Sequence, residues 1–144
     1  PLAGMRDTVV TQTRTALDFA EILKYTSDTL YPDVEKIILV TDNLNTHAPA
    51  SLYKAFPPEE ARRLAERFEW HYTPKHGSWL DMAEIEIGIM SRQALSKPLP
   101  DLESFKKQVR AWTIKRNAEH RKINWQFTTQ DARIKLLKLY PIVL

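Results

Sequence analysis

The chain has 144 residues, of which 43% are hydrophobic and 27% charged, and a net charge of +3, the balance of one ordinary globular domain with a real core. It has no cysteine and only three glycines, which excludes a disulfide framework, a thiolate metal site and a Gly-rich phosphate loop. No apolar run approaches the ~18 residues of a membrane span and no signal-peptide pattern opens the chain, so a cytosolic location is the default expectation.

The opening Pro1-Leu2-Ala3-Gly4 is not a natural start and suggests a partial polypeptide. Arg6 to Thr13 alternates loosely, with Val9 and Val10 among threonines, and reads as a strand. Thr15-Ala16-Leu17-Asp18 is a capping-box pattern that opens a helix with Ala16, Phe19, Ala20 and Leu23 on its inner face. That helix should fade by Tyr31-Pro32. A continuous apolar run, Lys36 to Thr41, follows and reads as a strand buried on both faces. Pro49 suits the first turn of a short helix ending near Phe56, and Pro57-Pro58-Glu59-Glu60 starts another. Phe68 to Tyr72 alternates as a second strand, placed parallel to the first.

Thr73-Pro74-Lys75-His76-Gly77 reads as a turn, and a helix is predicted from about Trp79 to Leu95. Ser78 and Asp81 form a capping-box arrangement at its start. Leu80, Ala83, Ile87 and Met90 recur at helical spacing and predict a buried stripe, with Glu84 beside it. Lys97-Pro98-Leu99-Pro100 is a stiff break. Asp101 can cap a further helix with Leu102, Phe105, Val109 and Trp112 inward, and Thr128-Thr129-Gln130-Asp131 caps a short basic helix reaching about Tyr140. Charge is uneven along this path. Residues 1–96 hold ten Lys/Arg against fourteen Asp/Glu, or −4, whereas residues 97–144 hold eleven against four, or +7. An acidic half followed by a basic one suits a metal-dependent enzyme acting on a polyanion, although a solvated helix face would give the same count.

Two acids stand out. Asp42 falls where a buried strand emerges, the usual place for chemistry in sheets covered by helices. Glu84 lies near the core edge, where it would converge with Asp42 on a divalent cation or simply pair with Arg62 or Lys75 as a rim residue. The histidines lack the spacing of a zinc site. His71 reads as strand surface, whereas His47 and His76 are loop residues placed to approach a bound phosphate. Asn43 and Asn45 would orient metal-bound waters or form an Asx turn. Trp112, Trp125 and Phe127 could stack on bases, but core packing is the commoner use of such residues.

Two stretches carry a family resemblance. Ile38-Leu39-Val40-Thr41-Asp42-Asn43-Leu44-Asn45-Thr46-His47 and Tyr72-Thr73-Pro74-Lys75-His76-Gly77-Ser78-Trp79-Leu80-Asp81-Met82-Ala83-Glu84 resemble the second and third acidic motifs of bacterial insertion-sequence transposases of the Tc/mariner superfamily, the DDE transposases. The resemblance implies an α/β, ribonuclease-H-like catalytic domain, a mixed sheet flanked by helices, with three metal-binding acids. Asp42 would be the second and Glu84 the third, both catalytic and both metal ligands. Asn43, Asn45, His47, His76 and Asp81 would support them. It also implies Mg²⁺, with Mn²⁺ as a substitute, and DNA as the partner, both transposon ends and target. The location would be bacterial, cytoplasmic and nucleoid-associated.

Two departures qualify the match. Position 81 is Asp81 where such motifs more often have Asn, and no first acid is found, since Asp7 does not fit the motif. The expectation is therefore a partial catalytic domain over residues 1–144, lacking the first strands of the sheet and the N-terminal DNA-binding domain. Its basic helical part would run from about residue 97. An exposed sheet edge would invite a homodimer. Lys75, Lys106, Lys107, Arg110, Lys115, Arg116, Arg121 and Lys122 are the candidate DNA contacts, and cleavage by this chain alone should be poor. The competing readings are a catalytically silent remnant that only binds DNA or dimerises, and a small metal nuclease unrelated to transposition.

Overall fold

The computed structural model describes residues 3–74 and 81–135. In chain order these form α1 (Ala16–Tyr25), a π-helical turn (Thr26–Leu30), β1 (Ile37–Thr41), α2 (Ala50–Ala55), α3 (Pro58–Arg67), β2 (Phe68–Tyr72), α4 (Met82–Ala94), α5 (Leu102–Ala118) and α6 (Thr129–Lys135).

Local chemistry sets the helix ends. Thr15 and Asp18 form the expected capping box on α1, the Thr15 hydroxyl accepting from Asp18 N and the Asp18 carboxylate accepting from Thr15 N. Asp101 caps α5 by accepting from Ser104 N at 2.7 Å, and Thr128 and Asp131 exchange the same reciprocal bonds before α6. The end of α1 widens into the π-helical turn, closed by a Tyr31 N–H donated to Thr26 O at 3.0 Å. Arg67, at the end of α3, secures that turn by donating to the carbonyls of Ser27, Tyr31 and Pro32. Carbonyls that the helix end leaves without an N–H partner thus gain a cationic donor.

β1 and β2 pair in parallel, with Ile37 opposite Phe68 and Thr41 opposite Tyr72. Parallel neighbours need a crossover, which α2 and α3 supply. Ala20 and Leu23 of α1, Leu52 of α2, Ala61 and Leu64 of α3, and Phe68 of β2 make the core, with Ile37, Leu39 and Trp70 packed against it. Each fully buried leucine removes enough apolar area to contribute about 1.5–3 kcal/mol. Among the described residues the helices cover one sheet face only. On the other, Ile38 and Val40 are 68% and 58% exposed, so the expectation of a strand buried on both faces does not hold. Nor is the sheet mixed: among the described residues it has two strands, which run parallel.

Residues 6–13 form no strand. Arg6 N donates to Asn117 Oδ1 at 3.0 Å, and the Arg6 carbonyl oxygen accepts from Asn117 Nδ2 at 2.7 Å. A side-chain amide on α5 thereby takes the two bonds a neighbouring strand would have made. Thr8 and Thr113 add a hydroxyl–hydroxyl bond at 2.7 Å.

α4 packs on α5, and the face it turns inward is not the predicted stripe. Ala83 and Ile87 are exposed, Met90 is half-buried, and Leu80 lies outside the described residues. The buried residue is Glu86. Its carboxylate accepts from Arg116 Nε at 2.9 Å and Nη2 at 3.0 Å and lies 3.1 Å from Arg6 Nε. Two guanidinium groups make burial of this charge tolerable, and they select the helix face in place of hydrophobic area. Burial alone would push the Glu86 carboxyl up. The Arg116 hydrogen bonds and the two positive charges outweigh it and hold the group below its usual range.

Candidate active site

Asp42 directly follows β1, half-exposed, at the end where both parallel strands finish. Thr73 N continues the ladder by donating to Thr41 O at 2.9 Å, so the chain leaves β2 at that same end on its way to α4. Asp42 Oδ1 accepts from Leu44 N at 3.4 Å, an Asx turn made by Asp42 rather than by Asn43 or Asn45, both of which are exposed. Oδ1 also accepts from His47 Nδ1. The same Nδ1 lies 3.2 Å from Thr41 Oγ1, and the ring stacks on Phe19 of α1, with centroids 4.4 Å apart and planes 28° apart. Below it, Trp70 stacks with Tyr72 at 6.3 Å and meets Phe68 edge-on at 6.1 Å, an aromatic row running from the core toward the strand end.

Glu84 sits in the first turn of α4, exposed, with no hydrogen bond or ion pair to the described residues. The rim pairing with Arg62 does not form, because Arg62 donates to Glu66 at 2.8 Å instead. Asp81 is buried and does cap the helix, accepting from Ala83 N at 2.8 Å. Lys75 and His76, and Ser78 of the proposed capping box, lie outside the described residues. His71 bonds Glu69 on the strand surface, as expected. Among the described residues no group of three or more His, Cys, Asp and Glu side chains is gathered to hold a metal ion. What is brought together is Asp42 with His47.

The basic half divides into two sets. Arg116 is largely buried against Glu86 and over the Trp112 ring. Lys106 is tied to Glu103 and Arg121 to Glu119, each at 2.9 Å. Lys107, Arg110, Lys115 and Lys122 are exposed, and none has an ion pair among the described residues. Trp112 donates to Gln93 Oε1 at 2.9 Å, and Trp125 and Phe127 pack edge-to-face, all three half-buried rather than in the core. Sequence patterns did not single out Phe19 as a support for His47, or the pairing of Arg6 with Glu86, because each contact joins elements far apart in the chain.

The architecture is thus an α/β domain with a carboxylate at the carboxyl end of a parallel strand and a second one on the helix that follows the next strand. The sequence model of the DDE superfamily endonuclease family matches residues 3–106, and the chain belongs to that family. Searches of curated proteins and of solved structures gave no match. Membership implies DNA as substrate and divalent-metal-dependent cleavage in general terms. No helix among the described residues is long and apolar enough to cross a membrane.

Proposed function

We propose that this chain is the part of a transposase catalytic domain that carries the second and third metal-binding acids, Asp42 and Glu84. It would act in DNA transposition by strand cleavage and strand transfer. The observation that supports it most is the exit of both strands at one end, Asp42 on the first and the path to Glu84 on the second. The finer placement, a ribonuclease-H-like domain of a bacterial, Tc/mariner-type insertion sequence working near the nucleoid, rests on the two long motifs. The edge of β1 that no strand among the described residues pairs is where a second copy would associate.

The donor set suits a hard cation. Both acids are carboxylates, and the hydrogen bonds of Asp42 fall on Oδ1, which leaves Oδ2 for coordination. Mg²⁺ accepts such a sparse set because it keeps several waters and takes phosphate oxygens as further ligands, and Mn²⁺ would substitute. Divalent ions at such a site supply a deprotonated attacking oxygen and neutralise charge on the phosphate. Asp42 and Glu84 would hold them from two separate elements. Lys107, Arg110, Lys115 and Lys122 would neutralise flanking phosphates without reading sequence. In the first step water attacks a phosphodiester, the P–O3′ bond breaks, and a 3′ hydroxyl is freed. In the second that hydroxyl attacks a target phosphodiester, so one P–O bond forms for each broken and no bond to protein is made.

Fe²⁺ substituted for the native ion, with peroxide, should cut the polypeptide next to its site. Cuts are expected beside both Asp42 and Glu84, and should disappear in Asp42→Asn and in Glu84→Gln. Cuts beside only one of them would refute a shared site. Nicking of supercoiled plasmid with Mn²⁺ is expected to be slow for the 144-residue chain, since only two of three acids are identified. Strong nicking that survives Asp42→Asn would place the chemistry elsewhere.

A further inference from the structure

We infer that His47 is a positioning residue for Asp42, a brace that fixes which carboxylate oxygen is offered to a divalent cation. This rests on the proposed metal role of Asp42 and adds to it how the acid is held. An aspartate just past a strand end ordinarily turns freely about two side-chain torsions, and each orientation offers a different oxygen. Here Oδ1 receives both the Leu44 N–H and His47 Nδ1, which leaves Oδ2 as the single unengaged oxygen. A carboxylate only accepts, so the imidazole must present its proton at Nδ1. The ring face stacks on Phe19 at 4.4 Å, and the largely buried Thr41 hydroxyl oxygen lies 3.2 Å from the same Nδ1, beside the bond to Asp42. Phe19 belongs to α1 and packs against the core, so the orientation of Asp42 is carried by the rigid body of the fold and not by the loop alone.

Mg²⁺ and Mn²⁺ demand near-octahedral geometry, and side chains that hydrogen-bond a ligating carboxylate preset it. A structural loop bond would need only some partner for His47. A ring nitrogen donating to the acid, with the ring face stacked on a helix aromatic and that nitrogen beside a strand hydroxyl, is what orientation of a ligand requires.

The test is Mn²⁺ affinity, read from the electron paramagnetic resonance of the free aquo ion, with circular dichroism to verify folding. His47→Leu should weaken binding about ten- to a hundred-fold, the usual effect of losing a partner that orients a ligand. His47→Asn sets an amide N–H close to the Nδ1 position and should restore affinity to within a few-fold, whereas His47→Gln, whose amide falls near Nε2, should not. Phe19→Leu, which leaves the imidazole in place but unstacked, should give an intermediate loss and serves if His47→Leu fails to fold. Pulsed resonance of bound Mn²⁺ should show no directly coordinated imidazole nitrogen. Wild-type affinity in folded His47→Leu, or better rescue by Gln than by Asn, would overturn the brace while leaving Asp42 as ligand. A nitrogen coupling lost in His47→Leu would make His47 a ligand and equally overturn it. Failure of the parent site reads differently: Asp42→Asn would then bind Mn²⁺ as well as wild type, or wild type would take up none, and the brace would fall with it.

Discussion

Glu86 offers the sharpest test of how the second half of the chain is held. Glu86→Ala would leave the guanidinium groups of Arg6 and Arg116 facing each other in a site where their side chains are only 6% and 12% exposed. Removing one partner from a buried ionic cluster costs about 3–5 kcal/mol, because the remaining charges lose their compensation without regaining water. Glu86→Gln keeps the shape and some hydrogen bonding, and should cost about 1.5–3 kcal/mol, the range for a bond to a charged group. The informative variant is the triple Arg6→Met, Glu86→Leu, Arg116→Met. Replacing all members of such a cluster by apolar residues of similar volume is often neutral, so it should recover the loss seen in Glu86→Ala, less the hydrogen bonds Arg6 makes to Asn117 Oδ1 and to the carbonyls of Gly4 and Arg121. Urea denaturation followed by circular dichroism measures all three, and a changed midpoint with an unchanged slope assigns the effect to stability. A thermal midpoint lower by roughly 10 °C should accompany the alanine variant. A loss below about 1 kcal/mol for Glu86→Ala, or a triple variant as unstable as the single one, would refute the cluster as the element that sets the inward face of α4.

Acid stability should be governed by a second cluster. Arg63 hydrogen-bonds Asp28 and holds its carboxyl well below the usual range, and hydrogen bonds from Arg63, then Lys24, bring Glu60 down to about 2. Folded-state values below the unfolded ones mean that this stabilisation is complete above pH ~4.3 and is lost as pH falls toward 2. Arg63→Gln should flatten stability against pH across that window, and parallel curves for variant and wild type would exclude the mechanism. On DNA, replacing Lys107, Arg110, Lys115 and Lys122 by Gln should weaken duplex binding in fluorescence anisotropy and reduce the salt slope by about one for each phosphate no longer neutralised. Arg116→Gln should leave that slope unchanged while lowering stability, and the reverse pattern would return Arg116 to the DNA surface.

What the sequence made legible was local. The caps at Thr15, Asp101 and Thr128 follow from side chains reaching backbone within one turn, and all three form. The two parallel strands were readable because the apolar run before Asp42 and the alternation of Phe68 to Tyr72 are short-range patterns. The inward face of α4 was not. Apolar residues lie around much of that helix, so spacing alone gives no unique face, and the deciding residue is a carboxylate whose counterions lie on other elements. Residues 6–13 do alternate, but at Arg6 the side chain of Asn117 supplies the hydrogen bonds in place of a strand. For the candidate site, Asp42 was legible as a strand-end acid and His47 only as a loop histidine. The stack on Phe19 that joins them to the core is a tertiary contact that no spacing encodes.

The bond between Arg6 and Asn117 spans 111 positions, and its length along the chain sets an order of events during synthesis. At about 5–20 residues per second, Asn117 leaves the ribosome on the order of ten seconds after Arg6. By then α1, α2, α3 and both strands have already been made, and their core contacts lie wholly within residues 19–70. Closing a loop of this size costs roughly 4 kcal/mol of chain entropy if the intervening chain is unstructured, and much less once that core has shortened the tether. The docking of residues 4–8 onto α5 is therefore a late step, open to the chain only after the core within residues 19–70 has been made.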